Sequence, residues 1–365
     1  MKILYITTIG GTMTFFKSLI KELIDEGHVV DIATNETDSK VPDCYREWGC
    51  KVYPISTSRS SFSTGNIRAI NEIRSIAKDY DIVHCHTPLA AMSTRFASRP
   101  LRKDGLKVIY TAHGFHFYSG APLKNWLLYF PMEWLCAHWT DVLITINKED
   151  FERAKKCMPA KKVEYVPGVG IDVDKFANTK VDKADKRAEI GVPEDAFMVL
   201  SVGELNENKN HQIVIRAIAE LKDRDIHYVI AGIGKQKDYL DQMAKDLGVN
   251  LHLLGYRKDV SELYKTADLY ILPSKREGLN VSTMEAMASG LPIICSLNRG
   301  NKDFNSSGVI LCDINHLSML VTQIKELKES KEKLLRMTQT NTRIAESYDF
   351  EKINKKIIEI YFGGE

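Results

Sequence analysis

Two glutamates, Glu277 and Glu285, stand with seven residues between them in the run KREGLNVSTMEAMASG (residues 275–290). A strand-like run at 269–273 precedes them, and the apolar residues that follow recur at helical spacing. If the helix starts near Leu279, Glu277 lies at its N-terminal mouth, where unpaired N–H groups attract anions, and Glu285 lies ~9–12 Å further along. Such a pair suits a diphosphate between two sugars, as in a nucleotide sugar; ordinary surface glutamates are the alternative.

A lysine, Lys209, ends the segment GELNENK at 203–209. This segment follows the strand-like run 197–202 and is predicted to open a helix near 209–222. A cation at a helix start can neutralise a departing diphosphate. An exposed lysine without a special role is the alternative interpretation.

Three histidines stand at the ends of predicted strands. His113 lies where the strand 107–112 gives way to a glycine, so its ring can project into a cleft; a buried, hydrogen-bonded histidine is the alternative. His84 and His86 could ligate a metal if both pointed the same way. No third ligand has a suitable spacing, so the sequence favours a hydrogen-bonded strand end and predicts no metal site.

Paired glycines follow two of the strands. Gly10 and Gly11 come after the first strand, and Gly232 and Gly234 after the strand at 228–231. Neither pair extends to G-x-G-x-x-G, so the dinucleotide-binding fingerprint is absent. Both pairs are consistent with tight turns at which backbone approaches a ligand, and Gly11 is therefore predicted to contact one.

Strand-like and helical runs alternate twice along the chain, with a break near residue 170. This alternation predicts parallel sheets covered by helices on both faces. A chain of 365 residues also exceeds the usual size of one core. We predict domains at 1–170 and 171–345, with a helix in 346–365 that packs back on the first domain. Ligands are expected at the carboxyl ends of the strands.

The composition is that of an ordinary globular protein, with 44% hydrophobic and 27% charged residues. A net charge of +2 gives no basis for nucleic-acid binding. No apolar run reaches the ~18–20 residues of a membrane-spanning helix. Seven cysteines without a C-x-x-C pair favour reduced thiols and a cytoplasmic location.

Aromatic residues are unusually dense between residues 115 and 139. Amphipathic rings favour a membrane interface when they are exposed. The residues predicted to contact the membrane or an acceptor are Phe117, Tyr118, Trp126 and Trp134. A basic cluster lies nearby, for which solvated loop charge is the favoured explanation and contact with anionic lipid the second. Its members are Arg95, Arg99, Arg102, Lys103 and Lys107.

Together these segments resemble the retaining glycosyltransferases of family 4, which have the GT-B fold. The resemblance spans nearly the whole chain. It rests on DIVHCHTP (81–88), TAHG (111–114), GYRKDV (255–260) and ADLYILPS (267–274), and above all on the E-x7-E run that ends in EAMASG at 290. It implies an α/β fold of two doubly wound, Rossmann-like domains that face a cleft.

The resemblance also implies roles for individual residues. Glu277 would contact the donor sugar, Glu285 the ribose of the nucleotide, and His113 would line the sugar site. The remaining implied donor contacts are the backbone of Gly278, Leu279, Asn280 and Val281 at the phosphate, and Tyr256 and Arg257 at the nucleobase.

One residue departs from the family pattern. Family members usually carry an arginine directly after the glycine that corresponds to Gly203, paired with a lysine on the diphosphate. This chain has Glu204 there and keeps only Lys209. Glu204 is therefore a donor-site residue whose effect is open: either another cation replaces the arginine, or the leaving group is held differently. The replacement candidates are Arg257, Lys275 and Arg276.

The resemblance implies a retaining hexosyltransferase that needs neither metal nor cofactor. It would move a hexose or N-acetylhexosamine from a UDP-sugar to a polyprenyl-diphosphate-linked saccharide in bacterial surface-glycan synthesis. The domain 1–170 would bind the acceptor at the inner face of the cell membrane, with the protein cytoplasmic and peripherally attached. The alternatives are a UDP-sugar 2-epimerase of the same fold and, because of Glu204, a nucleotide-sugar-binding subunit without turnover.

Overall fold

The structure is a computed structural model that describes residues 1–58, 60 and 63–363. The chain divides into two compact units, one made of Met1–Val169 with Phe350–Glu365 and the other of Gly170–Asp349. In the described residues each unit has one parallel sheet with helices on both faces. The predicted α/β class with two doubly wound sheets is confirmed.

The first unit holds a seven-stranded sheet in the order β3-β2-β1-β4-β5-β6-β7. The order reverses between β1 and β4, whose carboxyl ends therefore lie at the switch point of this sheet. Its elements to residue 165 are β1 (Lys2–Ile6), α1 (Lys17–Asp25), β2 (Val29–Thr34), α2 (Cys44–Glu47), β3 (Val52–Pro54), α3 (Gly65–Ala77), β4 (Ile82–His86), α4 (Pro88–Ser98), β5 (Lys107–Ala112), α5 (Leu123–Ala137), β6 (Val142–Thr145), α6 (Lys148–Cys157) and β7 (Lys162–Tyr165). Short 3-10 helices cover Gly10–Phe16 and Leu101–Asp104.

The second unit holds a six-stranded sheet in the order β10-β9-β8-β11-β12-β13, with its switch point between β8 and β11. Its elements are α7 (Val173–Asn178), α8 (Lys183–Glu189), β8 (Phe197–Val202), α9 (Gln212–Leu221), β9 (Ile226–Ala231), α10 (Lys237–Leu247), β10 (Asn250–Gly255), α11 (Val260–Thr266), β11 (Leu269–Leu272), α12 (Val281–Ala288), β12 (Ile293–Ser296), β13 (Val309–Cys312), α13 (Leu317–Glu329) and α14 (Lys331–Ala345). Short 3-10 helices cover Asn301–Phe304 and Glu346–Tyr348.

The last helix, α15 (Phe350–Phe362), belongs to the first unit and packs beside α1. Its apolar stripe joins the core under β1 and β2, and the hydroxyl of Tyr361 lies against Tyr5 and His84. Lys107 at the start of β5 donates hydrogen bonds to the last carbonyls of this helix. The expectation that a C-terminal helix packs back on the N-terminal domain is confirmed.

Two predicted helix starts are wrong by two or three residues. The helix expected near Leu279 begins at Val281, because the side chain of Asn280 accepts a hydrogen bond from the Thr283 N–H and caps the first turn. The helix expected to open at Lys209 begins at Gln212. Residues 203–211 instead form a loop, so Lys209 lies before the helix rather than in its first turn.

Of the aromatic rings near α5 that were predicted to be exposed, only one is exposed. Phe117 is fully buried in the first core, stacked on Phe115, and therefore cannot contact a membrane surface. Trp126 packs against the same core with the Arg153 guanidinium over its ring. Tyr118 is half-buried, and Trp134 is exposed.

Most side chains of the basic cluster have partners within the protein. Arg95 is buried in an ion pair with Glu133, and Arg102 pairs with Asp141. Lys107 is held by the carbonyls of α15. Three of the five cations are thus committed to internal partners, which removes the cluster as a lipid-binding face. Among the described residues, no helix combines the length and the apolar character needed to span a membrane.

Candidate active site

The centre of the candidate site is an ion pair between Lys209 and Glu277 in the second unit. The Lys209 ammonium lies 2.7 Å from a Glu277 carboxylate oxygen. Both side chains are mostly withdrawn from solvent, with exposed fractions of 16% and 12%. Their loops leave β8 and β11, the two strands at the switch point, so the pair stands where ligands of doubly wound sheets bind.

Asparagines in the loop 203–211 fix this contact. The side-chain amide of Asn208 donates to the Arg276 carbonyl at 3.0 Å, and the backbone carbonyl of Asn208 accepts from the Lys275 N–H at 2.8 Å. Asn206 accepts from the Lys209 N–H at 2.9 Å. The two Asn208 hydrogen bonds join the loops on either side of the ion pair, and the Asn206 hydrogen bond fixes the backbone at Lys209 within its own loop. The pair is therefore held by the fold of both loops and not by its own attraction alone.

The glycines at the exits of β8 and β9 are required by packing. A Cβ added to Gly232 would stand 1.8 Å from the Gly203 carbonyl oxygen, and one on Gly234 2.3 Å from the Leu205 carbonyl oxygen. The aliphatic stem of Lys209 in turn lies over Gly203. The close approach predicted for Gly232 and Gly234 is therefore made to the neighbouring loop of the protein itself.

Arg299 is a site residue that the sequence reasoning missed. It follows β12, and its Nε donates to the Glu277 carbonyl oxygen at 3.5 Å. Gly300 packs so closely on Gly278 that an added Cβ would stand 2.2 Å from the Gly278 carbonyl oxygen. A cation at the carboxyl end of the next strand was the available signal. Arg299 is thus a second positive group beside the loop that carries Glu277.

Glu285 lies on α12 with its carboxylate largely buried. Tyr264 on α11 donates a hydrogen bond to it at 2.9 Å. Burial raises the pKa of Glu285 to about 7, and the Tyr264 hydrogen bond and the charge of Lys175 oppose that rise. The group therefore titrates near neutrality, and its ionised form has unused acceptor capacity for hydroxyl donors.

A change of Glu285 to glutamine is expected to make folding stability less dependent on pH. The folded pKa lies above the ordinary value, so the contribution of Glu285 is fully present below about pH 4.5 and is lost as the pH rises through about 7. At pH 8 we expect Glu285→Gln to stabilise the protein by roughly 2–3 kcal/mol, with little change at pH 5. Thermal unfolding of the wild type and of Glu285→Gln at pH 5 and pH 8 tests this. A stability difference between the two proteins that is the same at both pH values would contradict the prediction.

The turn after β10 carries the residues predicted at the nucleobase. Tyr256 is exposed, as a stacking surface requires. Arg257 is held by Asp259 and Glu189. This double pairing argues against Arg257 as the replacement for the missing arginine. Glu204 is exposed directly after Gly203.

His113 lies in the first unit and contacts His86, which in turn contacts His84. Its Nε2 is 3.1 Å from Nδ1 of His86, and burial lowers the pKa of His113 to about 4, so the ring is neutral at pH 7. Nε2 of His86 has no partner among the described residues, and a buried N–H without a partner is rarer than an unpaired acceptor. The shared proton is thus best placed on His86, which leaves His113 a donor at Nδ1.

His84 and Gly11 of the first unit make close contacts within that unit. His84 is hydrogen-bonded to Thr111 and Tyr361, as favoured from the sequence. Within residues 1–58, 60 and 63–363, no group of three or more His, Cys, Asp or Glu side chains is arranged to hold a metal ion. A Cβ on Gly11 would stand 2.3 Å from the Ser39 hydroxyl, so packing in the first unit also accounts for this glycine.

The structure thus brings one part of the predicted site together. Lys209, Glu277 and the capped start of α12 meet at the carboxyl edge of the second sheet, with Glu285 further along that helix. His113 and Gly11 belong to the other unit, and their predicted contacts with a donor stay predictions.

Two family models match the chain, one for each half. The model described as Glycosyltransferase Family 4 matches residues 9–175, and the model described as Glycosyl transferases group 1 matches residues 182–344. The second match contains the Lys209–Glu277 pair and Glu285.

Named relatives match across both halves. A protein of Bacillus subtilis named as a glycosyltransferase, EpsD, is 35% identical over 320 residues, which are 85% of this chain and 84% of that protein. A protein of Escherichia coli named UDP-Gal:alpha-D-GlcNAc-diphosphoundecaprenol alpha-1,3-galactosyltransferase is 28% identical over 317 residues, 81% of each chain. Among solved structures, HepE of Anabaena in complex with UDP has a TM-score of 0.84 over 100% of both chains at 20% identity, which shows a shared fold.

Proposed function

The chain belongs to family 4 of the GT-B glycosyltransferases, and on this premise we propose that it transfers a hexose or N-acetylhexosamine from a UDP-sugar to a polyprenyl-diphosphate-linked saccharide. The transfer retains the configuration at the anomeric carbon and takes part in bacterial surface-glycan synthesis. The observation that carries the proposal is the Lys209–Glu277 pair at the switch point of the second sheet.

The donor assignment follows from the charges around this pair. Lys209 supplies a cation for the diphosphate, and Arg299, on the adjoining loop, supplies the charge that the family places at the position of Glu204. Glu277 accepts hydrogen bonds from hydroxyls of the transferred sugar, and Glu285 accepts from the ribose. The structure of HepE with UDP is consistent with a uridine nucleotide, since the two proteins share the fold.

The proposed reaction needs no metal and no dedicated base. The bond between the sugar C1 and the β-phosphate oxygen breaks, and a bond from C1 to an acceptor hydroxyl oxygen forms on the same face. The proton of that hydroxyl passes to the departing diphosphate. Lys209, Arg299 and backbone N–H groups at the start of α12 stabilise the negative charge that develops on UDP.

A lipid-linked acceptor is supported by the outer face of α5. This helix exposes large apolar side chains along one side in the described part of the first unit. A tryptophan among them suits the headgroup region of a bilayer. We therefore propose that α5 attaches the protein to the cytoplasmic face of the membrane, as a protein that acts on a polyprenyl-linked substrate requires. The exposed residues are Leu123, Leu127, Leu128, Met132, Trp134 and Leu135.

Charges in α5 should abolish this attachment. We expect the double change Leu127→Glu and Leu128→Glu to lower vesicle binding at least tenfold, because each leucine withdrawn from water contributes roughly 1.5–3 kcal/mol. The matched control is Leu335→Glu on α14, since Leu335 is 58% exposed and Leu128 61%. Co-sedimentation with vesicles measures the bound fraction.

The same assay separates apolar from ionic attachment. Because three of the five cations in the basic cluster have internal partners, binding to neutral phosphatidylcholine vesicles should approach that to vesicles with phosphatidylglycerol. Unchanged binding by the double variant would contradict attachment through α5. Binding only to the anionic vesicles would restore a role for surface cations.

UDP release from a panel of donors tests the reaction itself. The panel contains UDP-, GDP- and ADP-sugars, each with and without a polyprenyl-diphosphate-linked N-acetylglucosamine acceptor and with and without EDTA. We expect release from one UDP-sugar that depends on the acceptor and is insensitive to EDTA. An epimerised UDP-sugar formed without acceptor would contradict transfer, and UDP binding without release under every condition would favour a binding subunit.

A further inference from the structure

A network of buried polar side chains crosses the second sheet and ends at the loop 203–211. Its members are Ser201 on β8, Tyr228 on β9 and His211 at the end of that loop, and none is more than 1% exposed. The Ser201 hydroxyl donates to the Ile271 carbonyl on β11 at 2.6 Å, and its oxygen lies 2.9 Å from the Tyr228 hydroxyl. Nδ1 of His211 lies 3.0 Å from the same hydroxyl. Polar groups are costly to bury, so this network in the core needs a reason.

The hydrogen bonds determine where each proton of the network lies. Ser201 has one hydroxyl proton, which it gives to the Ile271 carbonyl, so its oxygen accepts from Tyr228. The Tyr228 oxygen then accepts from the Nδ1–H of His211. Burial lowers the pKa of His211 to about 4, so the ring is neutral at pH 7 and carries only this proton. Its Nε2 is therefore an acceptor; it has no partner within the described residues, which a buried acceptor tolerates better than a buried N–H.

The end of the loop that carries Lys209 is anchored at two points. His211 is held by Tyr228 on β9, and the side-chain amide of Asn210 donates to the Pro273 carbonyl after β11 at 3.4 Å. Asn210 itself has a φ of 55°, a left-handed conformation that asparagine adopts more readily than most residues. Because the chain changes direction sharply at such a residue, the two anchors determine where the preceding residue, Lys209, stands.

The His211 ring also lies close enough to its loop to be affected by it electrostatically. Besides burial, the charge of Lys209 lowers the pKa of His211, and the Glu204 carbonyl raises it. A donor sugar on Glu277 would compete with the Lys209 ammonium for the carboxylate that now holds it. The place of the ammonium then depends on the anchors of its loop, and a displacement of that loop would weaken its contact with a diphosphate.

We propose that His211, as its Nδ1–H tautomer, is a positioning residue for Lys209. The hydroxyl of Tyr228 is its anchor, and Ser201 orients that hydroxyl. His211 thereby sets the affinity for the diphosphate of the donor through the place of the Lys209 ammonium. This inference rests on the proposed function for the role of Lys209.

The change Tyr228→Phe tests the anchor without altering the loop itself. It removes the hydroxyl that holds His211 and keeps an aromatic ring in the core. By calorimetric titration we expect UDP affinity to fall about 3–10-fold, as for the loss of one hydrogen bond, with the affinity for uridine unchanged. Tyr80→Phe is the matched control, because it removes a buried hydroxyl bonded to Asp31 at 2.6 Å in the first unit and should alter neither affinity.

A double-mutant cycle with Lys209→Met separates positioning from general damage to the site. If Tyr228 acts through Lys209, then Tyr228→Phe should cause no further loss of UDP affinity in a protein that already carries Lys209→Met. Additive losses, equal losses for UDP and uridine, or UDP affinity that Tyr228→Phe leaves intact would each overturn the positioning role while the donor assignment stands. A Lys209→Met protein that binds UDP as tightly as the wild type would overturn the donor assignment, and the positioning role with it.

Nitrogen NMR of wild-type protein with isotopically labelled histidine reads the tautomer directly. The His211 signals are those that His211→Asn lacks, and we expect Nδ1 to be protonated and Nε2 not at pH 7. A ring protonated only at Nε2 would overturn the proposal even if a variant fails to fold.

Two changes at position 211 complete the test. The amide nitrogen of asparagine is attached to Cγ as Nδ1 is, so His211→Asn can still donate to Tyr228 and should keep UDP affinity within about twofold of wild type. His211→Leu has no donor and should lose as much UDP affinity as Tyr228→Phe. Equal UDP affinities for the asparagine and leucine variants would contradict an anchor at Nδ1.

Discussion

Replacing Glu277 with glutamine is expected to lower kcat by about 10²–10³-fold while folding and UDP affinity stay near wild type. The glutamine keeps the shape of the side chain and an oxygen for Lys209, but it removes the charge that accepts hydroxyl protons from the transferred sugar. The loss should appear in kcat because the developing charge at the anomeric carbon strengthens these hydrogen bonds in the transition state. Initial rates with the donor and acceptor identified by UDP release provide the measurement.

A nearby glutamate supplies the control for this variant. Glu207 lies in the same loop as Lys209, is exposed and has no assigned role, so Glu207→Gln should retain the wild-type rate. A Glu277→Gln enzyme that turns over within about twofold of wild type would show that the donor site has been assigned to the wrong residues.

Replacing Lys209 with methionine is expected to weaken UDP binding by about 10–100-fold, since a hydrogen bond to a charged group contributes roughly 1.5–3 kcal/mol. Methionine keeps an aliphatic stem over Gly203, where the lysine packs, and removes only the cation. The change should also reduce the dependence of UDP affinity on salt. Calorimetric titration at two salt concentrations measures both effects.

Uridine is the control ligand for the lysine variant. It lacks the diphosphate, so its affinity should be the same for the wild type and for Lys209→Met. Equal losses for uridine and UDP would mean that the variant disturbs the site generally. UDP affinity that does not change at all would remove Lys209 from the proposed diphosphate contacts and shift attention to Arg299.

The fold was predictable because each strand and most helices carry their own signal. Buried parallel strands are continuous apolar runs, and the helices between them repeat their apolar residues at helical spacing. Boundaries were less predictable, because a cap such as Asn280 moves a helix start without altering the apolar pattern. Even so, the alternation alone was enough to predict two doubly wound units.

The contact between Lys209 and Glu277 had no local signal. These residues are 68 positions apart, and their meeting depends on Asn208, whose hydrogen bonds join two loops that a pattern search treats separately. Arg299 had a weak signal, its position just after a strand, but its contact with the Glu277 loop was not predictable. That contact depends on close packing of the two loops, in which Gly300 lies against Gly278.

The solvent exposure of individual side chains was the property that was hardest to predict from the sequence. Phe117 and Trp126 share the aromatic character of Trp134, yet the first two pack on the core and only Trp134 is exposed, to 43%. Likewise, Arg95 looks like a surface cation in a basic cluster and is instead buried against Glu133. Whether such a side chain is buried or exposed depends on neighbours from distant segments of the chain, and composition does not reveal those neighbours.

Because α15 belongs to the first unit, the two units complete their folding in a particular order during synthesis. The second unit is one continuous stretch, Gly170–Asp349, whereas the first unit is completed only by residues that follow it. During synthesis the second unit can therefore finish folding while the first still lacks the helix that covers Tyr5 and His84. The half of the chain that leaves the ribosome first is the last to be completed, and until residue 362 emerges its exposed apolar surface is open to chaperones.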